Sequence, residues 1–139
     1  KAFNDHYGHP VGDKILQSVA QILKTQCTDD CFVARTGGEE FALIVEGLSE
    51  DATMKVAEAA RLAIEKAEFV IGSSARSYGP IHISLGVCMA ADSVDPEELY
   101  AKADQALYAS KVDGRNRATL FSRIPKGKFT KNWLLYRGD

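Results

Sequence analysis

The sequence predicts one α/β domain built from an antiparallel hairpin and helical crossovers, on three observations. Apolar residues recur at helical spacing from Pro10 to about Gln26, from Ser49 to about Lys66, and from Pro96 towards Gly114. Between them lie runs rich in Phe, Val, Ile and Leu, one of them split by the pair Gly37-Gly38. The order is helix, hairpin, helix, strand, helix, strand, an alternation that belongs to the α/β class. With 139 residues, 45% of them hydrophobic, the chain can bury a core of its own.

Each element follows from its residues. Pro10 suits the first turn of the first helix, and Val11, Ile15, Leu16, Val19, Ile22 and Leu23 form one stripe along it. "CFVARTGGEEFALIVE", residues 31–46, reads as a hairpin with its glycines and two carboxylates at the turn. Ser49 can cap the second helix, whose Val56, Ala60, Ala63 and Ile64 suit close packing on a sheet. A glycine- and serine-bearing loop is expected at 72–80, then an interior strand over 81–90 around Gly86. Asp95 is a natural N-cap for the third helix, with Pro96 at its first position and Glu98 placed to reach back as in a capping box. Leu99, Ala103, Ala106, Leu107 and Ser110 make its buried side, Gly114 ends it in a left-handed conformation, and "RATLFSR" returns as a short strand. Internal repeats and low-complexity stretches are absent.

Composition narrows the function classes. A net charge of −2 gives no basic surface for sequence-independent binding of a nucleic-acid polymer. Cys27, Cys31 and Cys88 do not have the spacing of a zinc site and read as buried free thiols of a reducing cytosol. No apolar run approaches the roughly 20 residues that span a bilayer, and no signal peptide is visible. Because the chain starts at Lys1, it is expected to be cut from something longer. Residues 122–139 form a basic, aromatic tail containing Trp133, Leu134, Leu135 and Tyr136. Folding back over its own domain is the expected arrangement, with a membrane-surface or partner-docking role as the alternative.

Three places could carry chemistry. At the turn, Gly37 and Gly38 allow positive φ and close approach of a ligand, while Glu39 and Glu40 offer hard oxygens suited to Mg2+. A plain hairpin with a solvated acidic tip accounts for the same residues. Lys111, in the last turn of the third helix, and Arg115, just past Gly114, could clamp phosphates or simply complement the helix dipole. Asn4 and Asp13 have the groups to read the Watson–Crick edge of guanine, though a turn residue and a first-turn acid would look the same. His9 could orient that loop or touch a ligand.

Taken together, "FNDHYGHPVGDKIL", "ARTGGEEFALIV", "ISLGV" and "LYAKADQALYASKVDGRNR" resemble, in order and approximate spacing, the GGDEF domain of diguanylate cyclases, with Glu39 in place of the aspartate of the name. The resemblance covers roughly residues 1–121. It implies a ferredoxin-like palm domain related to nucleotidyl cyclases, with a central, mostly antiparallel sheet and flanking helices. It also implies an enzyme that condenses two GTP into cyclic di-GMP plus pyrophosphate, as a homodimer with Mg2+ or Mn2+. Under that resemblance Asn4, His9, Asp13 and Leu16 would lie at the guanine, and Gly37 and Gly38 near the phosphates. Glu39 and Glu40 would hold the metal, with Glu39 also helping to deprotonate the attacking hydroxyl. Lys111 and Arg115 would hold the β- and γ-phosphates, and Lys1 would stabilise the transition state. Arg35 is left to a local structural or dimer role. A cytoplasmic domain controlled by an upstream sensor or receiver domain is expected, with a membrane-anchored or multidomain parent left open.

Two departures temper the resemblance. The family's first strand, with its metal-binding aspartate, would lie before Lys1, so the 139 residues alone are expected to be inactive although the parent is expected to be an enzyme. The family's R-x-x-D inhibitory pair is replaced by Thr28 and Cys31, so product inhibition through that site is not expected. The competing reading is a catalytically inactive regulatory module that binds GTP or a partner. The Glu39/Glu40 pair argues for the enzyme, and the acceptor oxygens of Asp13 argue against relaxed purine choice.

Overall fold

The computed structural model describes residues 9–27, 31–71 and 76–125, leaving aside the side chains of His9, Ile71 and Arg76. Helix α1 (His9–Gln26) leads to strands β1 (Cys31–Arg35) and β2 (Phe41–Val45), then helix α2 (Glu50–Lys66) and strands β3 (Phe69–Ile71) and β4 (Arg76–Tyr78). Strand β5 (Leu85–Val87), helix α3 (Pro96–Val112) and strand β6 (Ala118–Leu120) follow, with single 3-10 turns at Ala90–Asp92 and Phe121–Arg123. These strands form three two-stranded sheets, β1 with β2 and β3 with β4 antiparallel, and β5 with β6 parallel. The chain divides into two compact units, one drawn from Lys1–Ser49 and Leu62–Ile81, the other from Glu50–Arg61 and His82–Asp139.

In the first unit, the stripe read from the sequence is the buried face of α1. Ile15, Leu16, Val19 and Leu23 are all 3% exposed or less, and Ile64, Phe69 and Ile81 are buried with them in the same unit. Helix α1 packs on β1 and β3. Burying a side chain the size of Phe69 contributes about 1.5–3 kcal/mol, so the short strand β3 is held by packing more than by its three-residue ladder. Strand β4, paired with β3, occupies part of the stretch expected to be a loop at 72–80. Both strands are three residues long, too short for a two-residue period to show.

In the second unit, α3 lies across the parallel pair β5–β6 and closes a β-α-β crossover. Its start matches the sequence reading in part. Asp95 is the N-cap, its carboxylate accepting the Glu98 N–H at 2.8 Å, with Pro96 in the first turn. The capping box is only half made, because the Glu98 carboxylate pairs forward with Lys102 at 2.7 Å. Ala57, Val87 and Leu120 form a buried cluster, covered by Met54, Leu85, Met89 and Ala118. Gly86 is required where β5 meets α3: a Cβ there would lie 2.1 Å from both the Ala103 carbonyl oxygen and the Leu107 nitrogen. The strand expected over 81–90 shrinks to Leu85–Val87, since Ala90–Asp92 turns into a 3-10 helix. A continuous apolar run does not mark where a ladder begins or ends.

The cysteine expectation is corrected. Cys27 and Cys31 form a disulfide, joining the residue after α1 to the first residue of β1, whose Cα atoms lie 5.2 Å apart. Cys88 is free and half-buried, and burial raises its thiol pKa above the ordinary range, helped by the negative charge of Asp92. Among the described residues, no helix is long and apolar enough to cross a membrane. The tail beyond Pro125 lies outside the described residues.

Candidate functional site

The hairpin turn is built by Arg35. Its Nε donates to the carbonyls of Gly37 and Gly38, each at 3.2 Å, and its Nη2 donates again to Gly38 O, while Thr36 N–H donates to Glu40 O at 3.0 Å. The guanidinium therefore closes the turn from one side and leaves the backbone carbonyls occupied. Glu39 and Glu40 follow, both half-buried, immediately before β2. Neither Gly37 nor Gly38 adopts a left-handed φ, so that part of the expectation is corrected: the described positive-φ glycines are Gly47, Gly79 and Gly114. The two turn glycines matter instead for space. A Cβ on Gly37 would sit 3.2 Å from Glu40 Oε2, whereas around Gly38 no described atom comes within 4 Å of that point. Gly38 thus leaves an open backbone surface that a ligand can approach.

The same unit carries α1, with Asp13 exposed on its outer face and Leu16 packed into the core at 2% exposure. His9 is the first residue of α1. Lys1 and Asn4 lie outside the described residues. Two neighbouring carboxylates supply two hard oxygen ligands of the kind Mg2+ takes, and so fit part of such a coordination shell. Among the described residues, no three His, Cys, Asp or Glu side chains gather into a group that could hold a metal ion.

The second unit carries the cations. Lys111 is half-buried in the last turn of α3 and Arg115 is exposed just beyond it. Asp113 N–H donates to Ala109 O at 2.9 Å, Gly114 takes φ +120°, and Arg115 N–H donates back to Ser110 O at 2.8 Å. This last bond satisfies a carbonyl of the final turn, as in a Schellman helix end. The glycine with positive φ was legible in the sequence. What was not is that Arg115 and Asn116 also have positive φ, 64° and 49°.

Those two residues are held by groups the sequence did not single out. Arg61, on α2, donates from Nη1 to Asn116 Oδ1 at 2.9 Å and from Nε to both carboxylate oxygens of Glu58 at 3.1 Å; its side chain is only 13% exposed. Asn116 N–H donates to Ser84 Oγ at 3.3 Å, and Arg117 Nε to the Arg115 carbonyl at 3.1 Å. The available signal was Asn116 itself, two residues past a helix-ending glycine, since Asn tolerates the left-handed region better than most residues.

Comparison with known proteins gives the family and the fold of the chain. The family model "Diguanylate cyclase, GGDEF domain" matches residues 1–117. Diguanylate cyclase VdcA of Vibrio cholerae is 41% identical over 117 residues, covering 84% of this chain and 34% of VdcA. The GGDEF domain of DgcB from Caulobacter crescentus, solved in complex with c-di-GMP, superposes with a TM-score of 0.79 at 32% identity, covering 87% of this chain and 71% of that one. The active GGEEF domain of a diguanylate cyclase from Vibrio cholerae superposes with a TM-score of 0.72 at 29% identity, covering 86% and 74%. The chain spans about a third of the length of the curated relatives it matches.

Proposed function

Because the chain belongs to the diguanylate cyclase GGDEF domain family, matched over residues 1–117, we propose that it is the catalytic domain of an enzyme converting two GTP into cyclic di-GMP and two pyrophosphates. In each half-reaction the 3′-oxygen of one GTP forms a bond to the α-phosphorus of the other, its proton is lost, and the bond to pyrophosphate breaks. Two facing copies of the domain would each hold one GTP, so a homodimer is part of the proposal. So is an upstream sensor or receiver domain that brings the copies together.

The roles fall to residues of different character. Asp13 and Asn4 would accept from and donate to the guanine edge, with His9 beside them and Leu16 backing the base from the core. The open surface at Gly38, next to Gly37, would let phosphates approach the backbone. Glu39 would take up the proton of the attacking hydroxyl, with Glu40 beside it. A bound Mg2+ or Mn2+ would supply positive charge at the reacting phosphate, and Glu39 and Glu40 are the side chains that would hold it. Lys111 and Arg115 would bind the β- and γ-phosphates and offset the charge building on the departing pyrophosphate, and Lys1 would add to that stabilisation.

The observation that carries the reading is the family match together with the Glu39-Glu40 pair at the turn. The test is incubation of the full-length protein with GTP and Mg2+, beside a Glu39→Ala/Glu40→Ala variant, with nucleotides separated by chromatography. Cyclic di-GMP from the parent and none from the variant is the expected result. A folded, dimeric parent that binds GTP yet makes no product would favour the regulatory module instead.

A further inference from the structure

The cation Arg115 stands on an unfavourable backbone. Two consecutive non-glycine residues, Arg115 and Asn116, have φ of 64° and 49°. The left-handed region is unfavourable for arginine and less so for asparagine, and a consecutive pair persists there only where surrounding contacts over-determine it. Here the contacts are identifiable. Arg115 N–H is tied to Ser110 O at 2.8 Å and Asn116 N–H to Ser84 Oγ at 3.3 Å. The Asn116 side chain is gripped by Arg61, which is 55 residues away in sequence, at 2.9 Å. Arg61 is itself fixed, because Glu58 accepts from its Nε with both oxygens and its side chain is 13% exposed. A guanidinium so far removed from water favours an arrangement in which its remaining donors are satisfied, which makes the Asn116 amide a preferred partner rather than an incidental one.

We propose that Arg61, acting through Asn116, is a positioning residue for Arg115: the guanidinium–amide bond fixes the left-handed pair and thereby the direction from which Arg115 meets the terminal phosphates of GTP. The inference rests on the reading of Arg115 as a phosphate ligand. Arg61 touches no substrate in this scheme. Its effect reaches the nucleotide only through the backbone of residues 115–116, so it should be felt by the β- and γ-phosphates and not by the base.

The test is the ratio of GTP to GMP affinity, measured by calorimetry on the full-length protein. Arg61→Ala and Asn116→Ala should each lower that ratio about tenfold by weakening GTP while leaving GMP unchanged, and the double variant should be no worse than either single one. Arg61→Lys, which keeps the charge but not the planar fork, should fall with the alanine variants, and it serves if Arg61→Ala does not fold. Arg115→Ala is the control for the underlying reading. If it leaves the ratio unchanged, Arg115 is not a phosphate ligand and both ideas fall. If it lowers the ratio while folded Arg61→Lys and Asn116→Ala do not, the positioning role alone is overturned. Equal loss of GTP and GMP affinity in Asn116→Ala would likewise overturn it, as a general structural effect.

Discussion

Ser110 Oγ lies 2.7 Å from the Leu85 carbonyl oxygen and 2.7 Å from Thr119 Oγ1, so one fully buried hydroxyl on α3 is bonded to both strands of the parallel pair. A serine has a single proton, and the Leu85 carbonyl can only accept. Thr119 must therefore donate to Ser110. Ser110→Ala removes an acceptor and a donor at once and leaves Thr119 Oγ1 and Leu85 O short of a partner. A loss of about 1–3 kcal/mol is expected, read as a lower denaturant midpoint with an unchanged slope.

Gly86 gives a sharper effect at the same interface. Any side chain must displace backbone, because the 2.1 Å approaches involve the Ala103 carbonyl and the Leu107 nitrogen of α3. Gly86→Ala should destabilise by about 3 kcal/mol or more, since helix and strand have to separate. A fully folded Gly86→Ala protein with wild-type thermal stability would contradict this packing.

Gly38 should behave in the opposite way. Its φ is ordinary, and no described atom lies within 4 Å of where its Cβ would be. Gly38→Ala should shift stability by less than about 0.5 kcal/mol, or raise it slightly by restricting the unfolded chain. Under the proposed function it should nevertheless weaken GTP binding several-fold, by keeping the phosphates off the backbone. Gly37→Ala presses on the Glu40 carboxylate, a flexible group that can yield. Calorimetric binding and thermal melts on the same samples separate the two effects.

The Arg61–Glu58 pair makes a pH prediction. Hydrogen bonding from Arg61 holds the Glu58 carboxyl below its ordinary value of 4.5; burial opposes it, and the charge of Arg61 adds a lesser lowering effect. A lowered folded pKa means that the unfolded state takes up the proton first as pH falls. The stability from this pair is thus complete above the ordinary value and is lost as pH drops through the lowered one. Glu58→Gln should melt below the wild type near neutral pH, and the difference should shrink as the solution is acidified. A gap that stays constant down to strongly acidic pH would rule out the linkage.

Much of this was readable in the chain, for reasons that differ by element. The stripe on α1 was legible because Ile15, Leu16, Val19 and Leu23 repeat over several turns, and all four are buried. Asp95 and Pro96 announced the start of α3 through local chemistry alone. Strands β3 and β4 were hidden because three residues carry no usable period and their pairing is settled by Phe69 in the core. At the candidate site the residue types Glu39, Glu40, Lys111 and Arg115 were legible, while their supports were not. Arg35 holding the glycine carbonyls and Arg61 holding Asn116 are bonds of geometry, and nothing in the spacing of 61 and 116 announces them.

The Cys27–Cys31 bond closes a small covalent ring where α1 gives way to β1. Connectivity there no longer depends on the peptide chain alone. A protease cutting between the two cysteines would leave the fragment bearing Asp13 attached to the fragment bearing the Gly37–Glu40 turn. On a denaturing gel the nicked protein would run as a single species until a thiol reductant was added, and would then part into two.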